Sequence, residues 1–404
     1  MDCRTGLPVV GMVGGGQLAR MTHQAAIGLG QSLRVLATSA DDSAAMVAAD
    51  VRIGHHTDLP ALRDFAAGCT VVTFDHEHVP TEHLRALVAD GVSVLPGPDA
   101  LLHAQDKLVM RRRLTDLGLP CPAWAEVTDT DAAVTFGESA GWPVVLKAAR
   151  GGYDGRGVWV ADDPAAAKSQ VAELLAAGTP VLVEERVPLV RELAALVARS
   201  PYGQVATWPV VETVQDDGIC VEVLAPAPGL PAERAVAAQQ LAVRIADALG
   251  VVGVLAVELF DTGSALVVNE LAMRPHNAGH WTIEGSATSQ FSQHLRAVLD
   301  YPLGDTSARA PVTVMANVLG GRNTRLDEAV HHLFAADPGV SVHLYGKAIR
   351  PGRKIGHVTV LGDDPGDLDR CRERAAAAVR WLREGPDEPP HENARRLAFP
   401  RGPR

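Results

Sequence analysis

The chain has 404 residues, room for two or three domains at about 150 residues each, and its 47% hydrophobic content suits ordinary globular cores. A formal net charge of −11 argues against a general nucleic-acid binder, which would carry a basic surface. That charge still leaves room for a local basic pocket around a phosphorylated metabolite.

Residues 8–13 form an apolar strand, followed by Gly14-Gly15-Gly16-Gln17 and a helical pattern through Ile27. A strand at Leu33–Ala37, a helix at Leu59–Ala67 and a strand at Thr70–Phe74 continue the alternation. The region to about residue 100 reads as a small open parallel sheet with helices on both faces. A helix from about Asp106 to Leu117 stops at Gly118-Leu119-Pro120. Pro143–Lys147 and Gly157–Val160 read as strands around a glycine-rich turn, then come a helix at Ala165–Ala176 and a strand at Val181–Glu185. Glu192–Val211 is apolar and β-rich, and Ala232–Leu249 is a long helix ending at Gly250. Strands at Val251–Leu259 and Ala265–Val268 pair as a hairpin across Asp261-Thr262-Gly263-Ser264. Two more strands follow Pro311, with a turn at Gly346, a basic turn at Arg350-Pro351-Gly352-Arg353-Lys354 and a final helix from Asp367 to about Leu382. The tail beyond is rich in proline and arginine, a composition that favours partial disorder. No internal repeat is present.

The five cysteines, Cys3, Cys69, Cys121, Cys220 and Cys371, are widely separated and contain no Cys-x-x-Cys pair. They support neither a disulfide framework nor a zinc ribbon, and a reducing cytoplasm is expected. No secretory leader and no apolar run near the roughly 20 residues of a membrane span is seen. The expectation is a soluble cytoplasmic protein.

The hairpin brings Glu258 near Glu270. Two carboxylates so placed repel unless a cation lies between them, and Mg²⁺ bridged to nucleotide phosphates is the usual oxygen-rich solution. Asn269 to Trp281 adds Arg274, two imidazoles and Asn277 in about a dozen residues. The loop Lys147-Ala148-Ala149-Arg150-Gly151-Gly152-Tyr153-Asp154-Gly155-Arg156-Gly157 permits a tight mobile hairpin whose backbone N–H groups approach phosphate oxygens. Lys147 at its strand end is a compact cation suited to the same phosphates, and the missing Gly-Lys-Ser/Thr ending sets the segment apart from a P-loop.

Two other segments stay open. Gly14-Gly15-Gly16 at a helix start fits a packing turn, a substrate phosphate or ribose, or a dinucleotide. The dinucleotide reading is weakened because the strand near Val35 ends in Ala37-Thr38-Ser39, with Asp41 and Asp42 as the nearest acids. Val181–Val187 fits either a buried strand with polar ends or one whose backbone near Glu185 and Val187 meets an adenine edge, with Glu192 on the ribose.

Together these segments resemble the ATP-grasp enzymes, and among them the N5-carboxyaminoimidazole ribonucleotide synthase family of purine biosynthesis. The likeness runs from Gly14 to His357 and is carried by residues 14–20, 73–80, 147–157, 269–281 and 350–357. It implies an ATP-grasp fold of mixed α/β and α+β class with an N-terminal Rossmann-like parallel-sheet domain and a small β-rich C-terminal domain. The expected divisions are 1–115, 116–305 with a lid at about 120–185, and 306–404, the last packing on the first and carrying the polar tail.

The resemblance further implies ATP- and bicarbonate-dependent carboxylation of 5-aminoimidazole ribonucleotide through carboxyphosphate, with Mg²⁺, two ions, at the site. Lys107, Lys147, Gly152, Gly155, Glu184, Glu185, Val187 and Glu192 would hold ATP. Glu258, Glu270 and Asn277 would hold the metal, and Arg274, His276 and Asn277 bicarbonate and carboxyphosphate. Gln17, Leu18, Glu77, Tyr153, Arg156, Lys347, Arg350 and Lys354 would meet the ribonucleotide, with Asp154 orienting its amine and taking its proton. A homodimer is implied, with no nucleic-acid or membrane partner. His76, His78, Ala19 and Met273 depart from the family's usual Phe, Asn, Gly and Pro without removing a charged contact. A formate-dependent transformylase and a non-catalytic nucleotide-binding protein are the rival readings.

Overall fold

The computed structural model describes residues 1–152 and 155–385, so Tyr153, Asp154 and the polar tail lie outside the described residues. The described residues build three sheets.

The first contains β1 (Val9–Val13), β2 (Ser32–Ala37), β3 (Asp50–Ile53) and β4 (Val71–Phe74) in the order β3-β2-β1-β4, with every neighbouring pair parallel. Its inner strands read as continuous apolar runs because both faces are covered. Val13, Val72 and Phe74 pack against α2 (Leu59–Ala66), α3 (Thr81–Ala89) and α4 (Pro98–Gln105). Val10, Met12 and Val35 pack against α1 (Gln17–Gly28) and against Leu295 and Val298 from far along the chain. The edge strand β3, Asp-Val-Arg-Ile, is not expected from the sequence because four half-polar residues carry little periodic signal.

A helix α5 (Lys107–Asp116) leads to the second sheet, made of β5 (Trp124–Val127), β6 (Val144–Ala148), β7 (Val158–Ala161) and β8 (Val181–Glu185). The order is β5-β8-β6-β7 and all pairs are antiparallel. Two helices, α6 (Thr130–Ala140) and α7 (Pro164–Ala176), cover one face through Ala133, Ala167, Val171 and Leu174. Each is started by an aspartate whose carboxylate accepts a backbone N–H at 2.8 Å, Asp129 from Ala132 and Asp163 from Ala166. The opposite face carries Lys147, Leu182 and Glu184, placed side by side by the β6–β8 register.

The third sheet is the largest: β9 (Arg191–Arg199), β10 (Val205–Thr207), β11 (Val211–Asp216), β12 (Ile219–Ala225), β13 (Gly253–Asp261), β14 (Leu266–Ala272), β15 (Val312–Leu319), β16 (Val340–Leu344) and β17 (Lys354–Gly362). It runs β14-β13-β9-β11-β12-β15-β17-β16, with β10 on β9. The C-terminal strands therefore continue the central sheet through the β12–β15 pairing instead of closing on themselves. One side of β13 is covered by α8 (Ala232–Ala248). The short α9 (Thr282–Gly285) and α10 (Gln290–Val298) follow β14, while α11 (Leu326–Ala336) and α12 (Leu368–Glu384) cover β15 and β17. Three strands and α11 occupy the stretch after Pro311, where sequence patterning predicts two strands. The C-terminal region meets the first sheet's helix where Tyr345 packs with Leu18, Met21 and Phe291.

Candidate functional site

The hairpin of β13 and β14 sets the site. Its strands run further than sequence periodicity suggests, so Asn269–Ala272 belong to β14 rather than to a turn. Glu258 pairs directly with Glu270, whereas Leu259 pairs with Val268, so the register slips by one residue and Asn269 is bulged out. Such a bulge redirects a side chain. Here the Asn269 Oδ1 accepts from Lys147 Nζ at 3.1 Å, while its carbonyl accepts from Arg111 Nη2 at 2.8 Å.

On the second sheet's side, Glu184 receives Lys147 Nζ at 2.6 Å and Arg111 Nε at 2.6 Å, with all three side chains buried. Burial works against the Glu184 charge, but Lys147 and Arg111 outweigh it and hold the carboxyl below its ordinary range. Burial, aided by Arg111, draws the Lys147 ammonium downward. Lys107 and Arg111 stand one turn apart on α5, so the same helix face that aims Arg111 at Glu184 aims Lys107 Nζ at Glu270 Oε1, 2.8 Å away. Asp106 caps that helix through Leu108 and Val109 N–H and also receives Arg150 Nε at 2.8 Å.

On the central sheet's side the charges do not cancel. Burial, Glu270 and Glu192 push the Glu258 carboxyl up to about 8. His276 Nε2 lies 3.3 Å from Glu258 Oε1. Burial together with Arg274 and Lys354 lowers the His276 imidazole to about 3, so it is neutral near pH 7. Its Nδ1 accepts the Ala278 N–H at 3.3 Å, which leaves the proton on Nε2 to donate to Glu258. Arg274 Nε donates to Glu77 Oε2 at 2.8 Å, reaching across to the loop after β4. Among the described residues, Asn277 Nδ2 is buried with no hydrogen-bond partner.

Glu185 pairs with Val144, at the other end of β6 from Lys147, and its Oε1 accepts from Ala123 N at 2.8 Å, while burial raises the Glu192 carboxyl. Glu192 pairs with Phe260, whose ring centroid is 6.0 Å from Lys147 Nζ. Val187 follows β8 in irregular backbone. Gly152 packs so closely on the Arg156 carbonyl that an added Cβ would lie 2.7 Å from its oxygen, and Gly155 rests on the Asp217–Gly218 turn. Around the first loop, Lys347 Nζ donates to Gln17 Oε1, and Leu18 is buried in packing, which leaves only its backbone for a ligand. Arg350 is exposed, and Lys354 lies close enough to Glu258 and His276 to act on their charge.

Four important residues are not singled out by sequence reasoning: Arg111, Asn269, Asp75 and Gln290. Arg111 is detectable as the residue one turn after Lys107, but the bulge at Asn269 needs the register of a long hairpin. Asp75 accepts the Gly16 N–H, so an internal carboxylate already stands at the start of α1. Gly14 has φ +109°, and a Cβ on Gly15 or Gly16 would strike Asp42 or Asp75. Asp42 itself accepts from Thr38 N, Thr38 Oγ1 and Ser39 N, which commits it to closing the turn after β2.

Comparison with known proteins places this geometry. The ribonucleotide synthetase preATP-grasp domain family matches residues 7–105, the ATP-grasp domain family 112–291, and the phosphoribosylaminoimidazole carboxylase C-terminal domain family 313–371. The N5-carboxyaminoimidazole ribonucleotide synthase of Mycobacterium tuberculosis is 64% identical over 94% of this chain and 88% of its own length. The chain belongs to the N5-carboxyaminoimidazole ribonucleotide synthase family. The carboxyaminoimidazole ribonucleotide synthase of Aspergillus clavatus complexed with ATP superposes with a TM-score of 0.85 at 32% identity, covering 93% of this chain and 99% of that one. The Aspergillus clavatus enzyme in complex with ADP and 5-aminoimidazole ribonucleotide gives 0.83 at 32% identity over 92% and 98%. The fold is thus the ATP-grasp fold, with a parallel N-terminal sheet and a smaller β-rich C-terminal region. Among the described residues, no helix is long and apolar enough to cross a membrane.

Proposed function

We propose that the chain is an ATP-dependent carbon–nitrogen ligase. It carboxylates the exocyclic amine of 5-aminoimidazole ribonucleotide to N5-carboxyaminoimidazole ribonucleotide, consuming ATP and bicarbonate and releasing ADP and phosphate. The observation that carries the reading is the opposed pair Glu258 and Glu270, with Arg274, His276 and Asn277 a few residues beyond on the same chain segment. The match to a carboxylase C-terminal family favours bicarbonate over formate as the one-carbon source.

The acidic pair fits a divalent cation. Like charges set directly opposite on paired strands are unfavourable, and burial with Glu270 and Glu192 raises the Glu258 carboxyl to about 8 against the pull of Lys354 and Lys107. Among the described residues, no three His, Cys, Asp or Glu side chains group to hold a metal by themselves. The nucleotide's phosphate oxygens would complete the shell, as is usual for Mg²⁺. Glu258, Glu270 and Asn277 would hold Mg²⁺, as one ion or two, and the metal would supply positive charge to offset that of the transferring phosphate.

The chain's own groups account for the rest. Lys107 and Lys147 hold ATP phosphates, while the backbone after β8 and Glu192 receive the adenosine. Arg274 and His276 orient bicarbonate for attack of its oxygen on the γ-phosphorus, which expels ADP and forms carboxyphosphate. The amine then takes the carboxyl carbon, phosphate leaves with the bridging oxygen, and the amine's proton is lost. Asp154, outside the described residues, is the residue the family resemblance assigns to that proton, and Tyr153 accompanies it. Gln17, Glu77, Arg156, Lys347, Arg350 and Lys354 are the ribonucleotide's contacts in this reading. A homodimer, checked by sedimentation, belongs to the same proposal.

The test is ATP turnover with 5-aminoimidazole ribonucleotide or glycinamide ribonucleotide, each with bicarbonate or formate. Product is expected only with the aminoimidazole and bicarbonate together. Formate incorporation, or no product from that pair, would overturn the proposal.

A further inference from the structure

Beyond Ala272 the chain leaves β14, yet His276 is still extended, with φ −123° and ψ 154°. A side chain stands in for the strand neighbour it lacks. Gln290, the first residue of α10 and fully buried, accepts the His276 N–H on Oε1 at 2.8 Å and donates from Nε2 to the His276 carbonyl at 2.7 Å. The same Nε2 lies 3.1 Å from His280 Nδ1. Burial holds His280 well below its ordinary value, so this imidazole is neutral and its Nδ1 accepts. Gly279 is required beside this amide, since a Cβ there would lie 2.4 Å from Gln290 Oε1. The backbone of Gln290 is anchored in turn, its N–H donating to Thr282 Oγ1 at 2.9 Å.

The helix carrying this amide is itself tied to two sheets. One turn after Gln290, His294 accepts the Val254 N–H from β13 at 3.1 Å and lies 2.8 Å from Thr73 Oγ1 of β4. Leu295 and Val298 pack on the first sheet. Gln290 therefore fixes the height of the His276 backbone relative to both the sheet that bears Glu258 and the sheet beside the glycine loop.

We propose that Gln290 is a positioning residue for carboxylation: its amide clamps the His276 backbone so that the imidazole meets Glu258 at the reacting end of the site. This rests on the reading of His276 given above. α10 supplies its own control. Gln293, equally buried, makes the same pair of bonds to Gly304, accepting its N–H and donating to its carbonyl at 2.8 Å each, at a backbone site remote from the chemistry.

Both glutamines are replaced by leucine, separately, in the full chain, with His276→Ala and the double variant Gln290→Leu/His276→Ala alongside. Gln290→Leu is expected to lower kcat by at least about 10-fold, since misplacement on the order of 1 Å costs up to about 10², with the KM for ATP little changed. Gln293→Leu should show a comparable drop in Tm with kcat near the parent's. In the His276→Ala background, Gln290→Leu should add no further loss. Equal kcat effects at the two glutamines, or additive losses in the double variant, would overturn the proposal. If His276→Ala turns over like the parent, it is the reading of His276 that falls, taking the clamp with it. An inactive His276→Ala beside a fully active Gln290→Leu would sink the clamp alone. Gln290→Glu keeps the inference testable should the leucine variant not fold. A neutral carboxylic acid retains one donor and one acceptor, so its activity should fall as pH rises and the acid ionises, unlike the parent's. An unchanged pH profile would overturn the proposal.

Discussion

On the second sheet's side of the site, Arg111 and Lys147 share Glu184, and Asn269 completes the set, so deeply buried charge is matched by partners within 2.6 to 3.1 Å. On the central sheet's side, Glu258 meets Glu270 across a strand pair, with Lys107 on Glu270 and a neutral histidine beside Glu258. The first arrangement pairs its charges within the protein, whereas the second awaits cations. A phosphoryl-transfer site needs both, because catalysis there is mostly positioning and charge stabilisation. The satisfied half holds a lysine in place, and the unsatisfied half keeps affinity for the charge that arrives with the nucleotide.

The largest expected effect breaks the unsatisfied half. Glu270→Gln preserves size and removes one negative charge, and turnover should drop by at least about 100-fold, the upper end of what losing even an outer-shell partner costs a metal site. Mg²⁺ demand should rise steeply while the ligand-free Tm changes little. Turnover within a few-fold of the parent at ordinary Mg²⁺ would remove Glu270 from the cation's contacts.

Breaking the satisfied half should have the opposite signature. Glu184→Leu strands two buried cations, and loss of one member of a buried ion pair costs about 3–5 kcal/mol. Chemical denaturation should register that loss at any Mg²⁺ concentration. A stability change below about 1 kcal/mol, the range of exposed pairs, would show that the triad is solvated.

A smaller effect sharpens the contrast through pH. Because the folded Glu258 carboxyl is raised from 4.5 to about 8, the folded chain holds this proton more tightly than the unfolded one. Its contribution to ligand-free stability is full below pH 4.5 and is lost as pH rises to about 8. Glu258→Gln should remove that part of the slope, so the variant gains on the parent in Tm as pH climbs through this window. Parallel Tm profiles would mean that Glu258 titrates as an ordinary carboxyl.

Much of this contrast is legible in the amino-acid sequence, and the reason is local. The Glu258–Glu270 hairpin needs only two apolar runs and a Thr-Gly-Ser turn, and α8 announces itself by long helical periodicity ending at Gly250. What escapes depends on distant register or on burial. The bulge that turns Asn269 toward Lys147 arises from a one-residue slip that no periodicity records. Arg111 sits in an Arg-Arg-Arg run that reads as an exposed basic face, yet its side chain is 1% exposed while Arg112 is 51% exposed. Gln290 and Gln293 look like surface residues of an amphipathic helix until the helix is seen wedged between two sheets. The extension of the central sheet by β15, β17 and β16 is hidden for a similar reason, since it rests on Glu222 to Ala225 pairing with a strand about ninety residues later.

The central claim, that this site phosphorylates bicarbonate and passes its carbon to an amine, is tested most directly with bicarbonate carrying labels in carbon and oxygen. One turnover with ATP and 5-aminoimidazole ribonucleotide should place the labelled carbon in the ribonucleotide and one labelled oxygen in the released phosphate. Labelled product with unlabelled phosphate would contradict phosphoryl transfer to bicarbonate, and phosphate release without labelled product would contradict carboxylation.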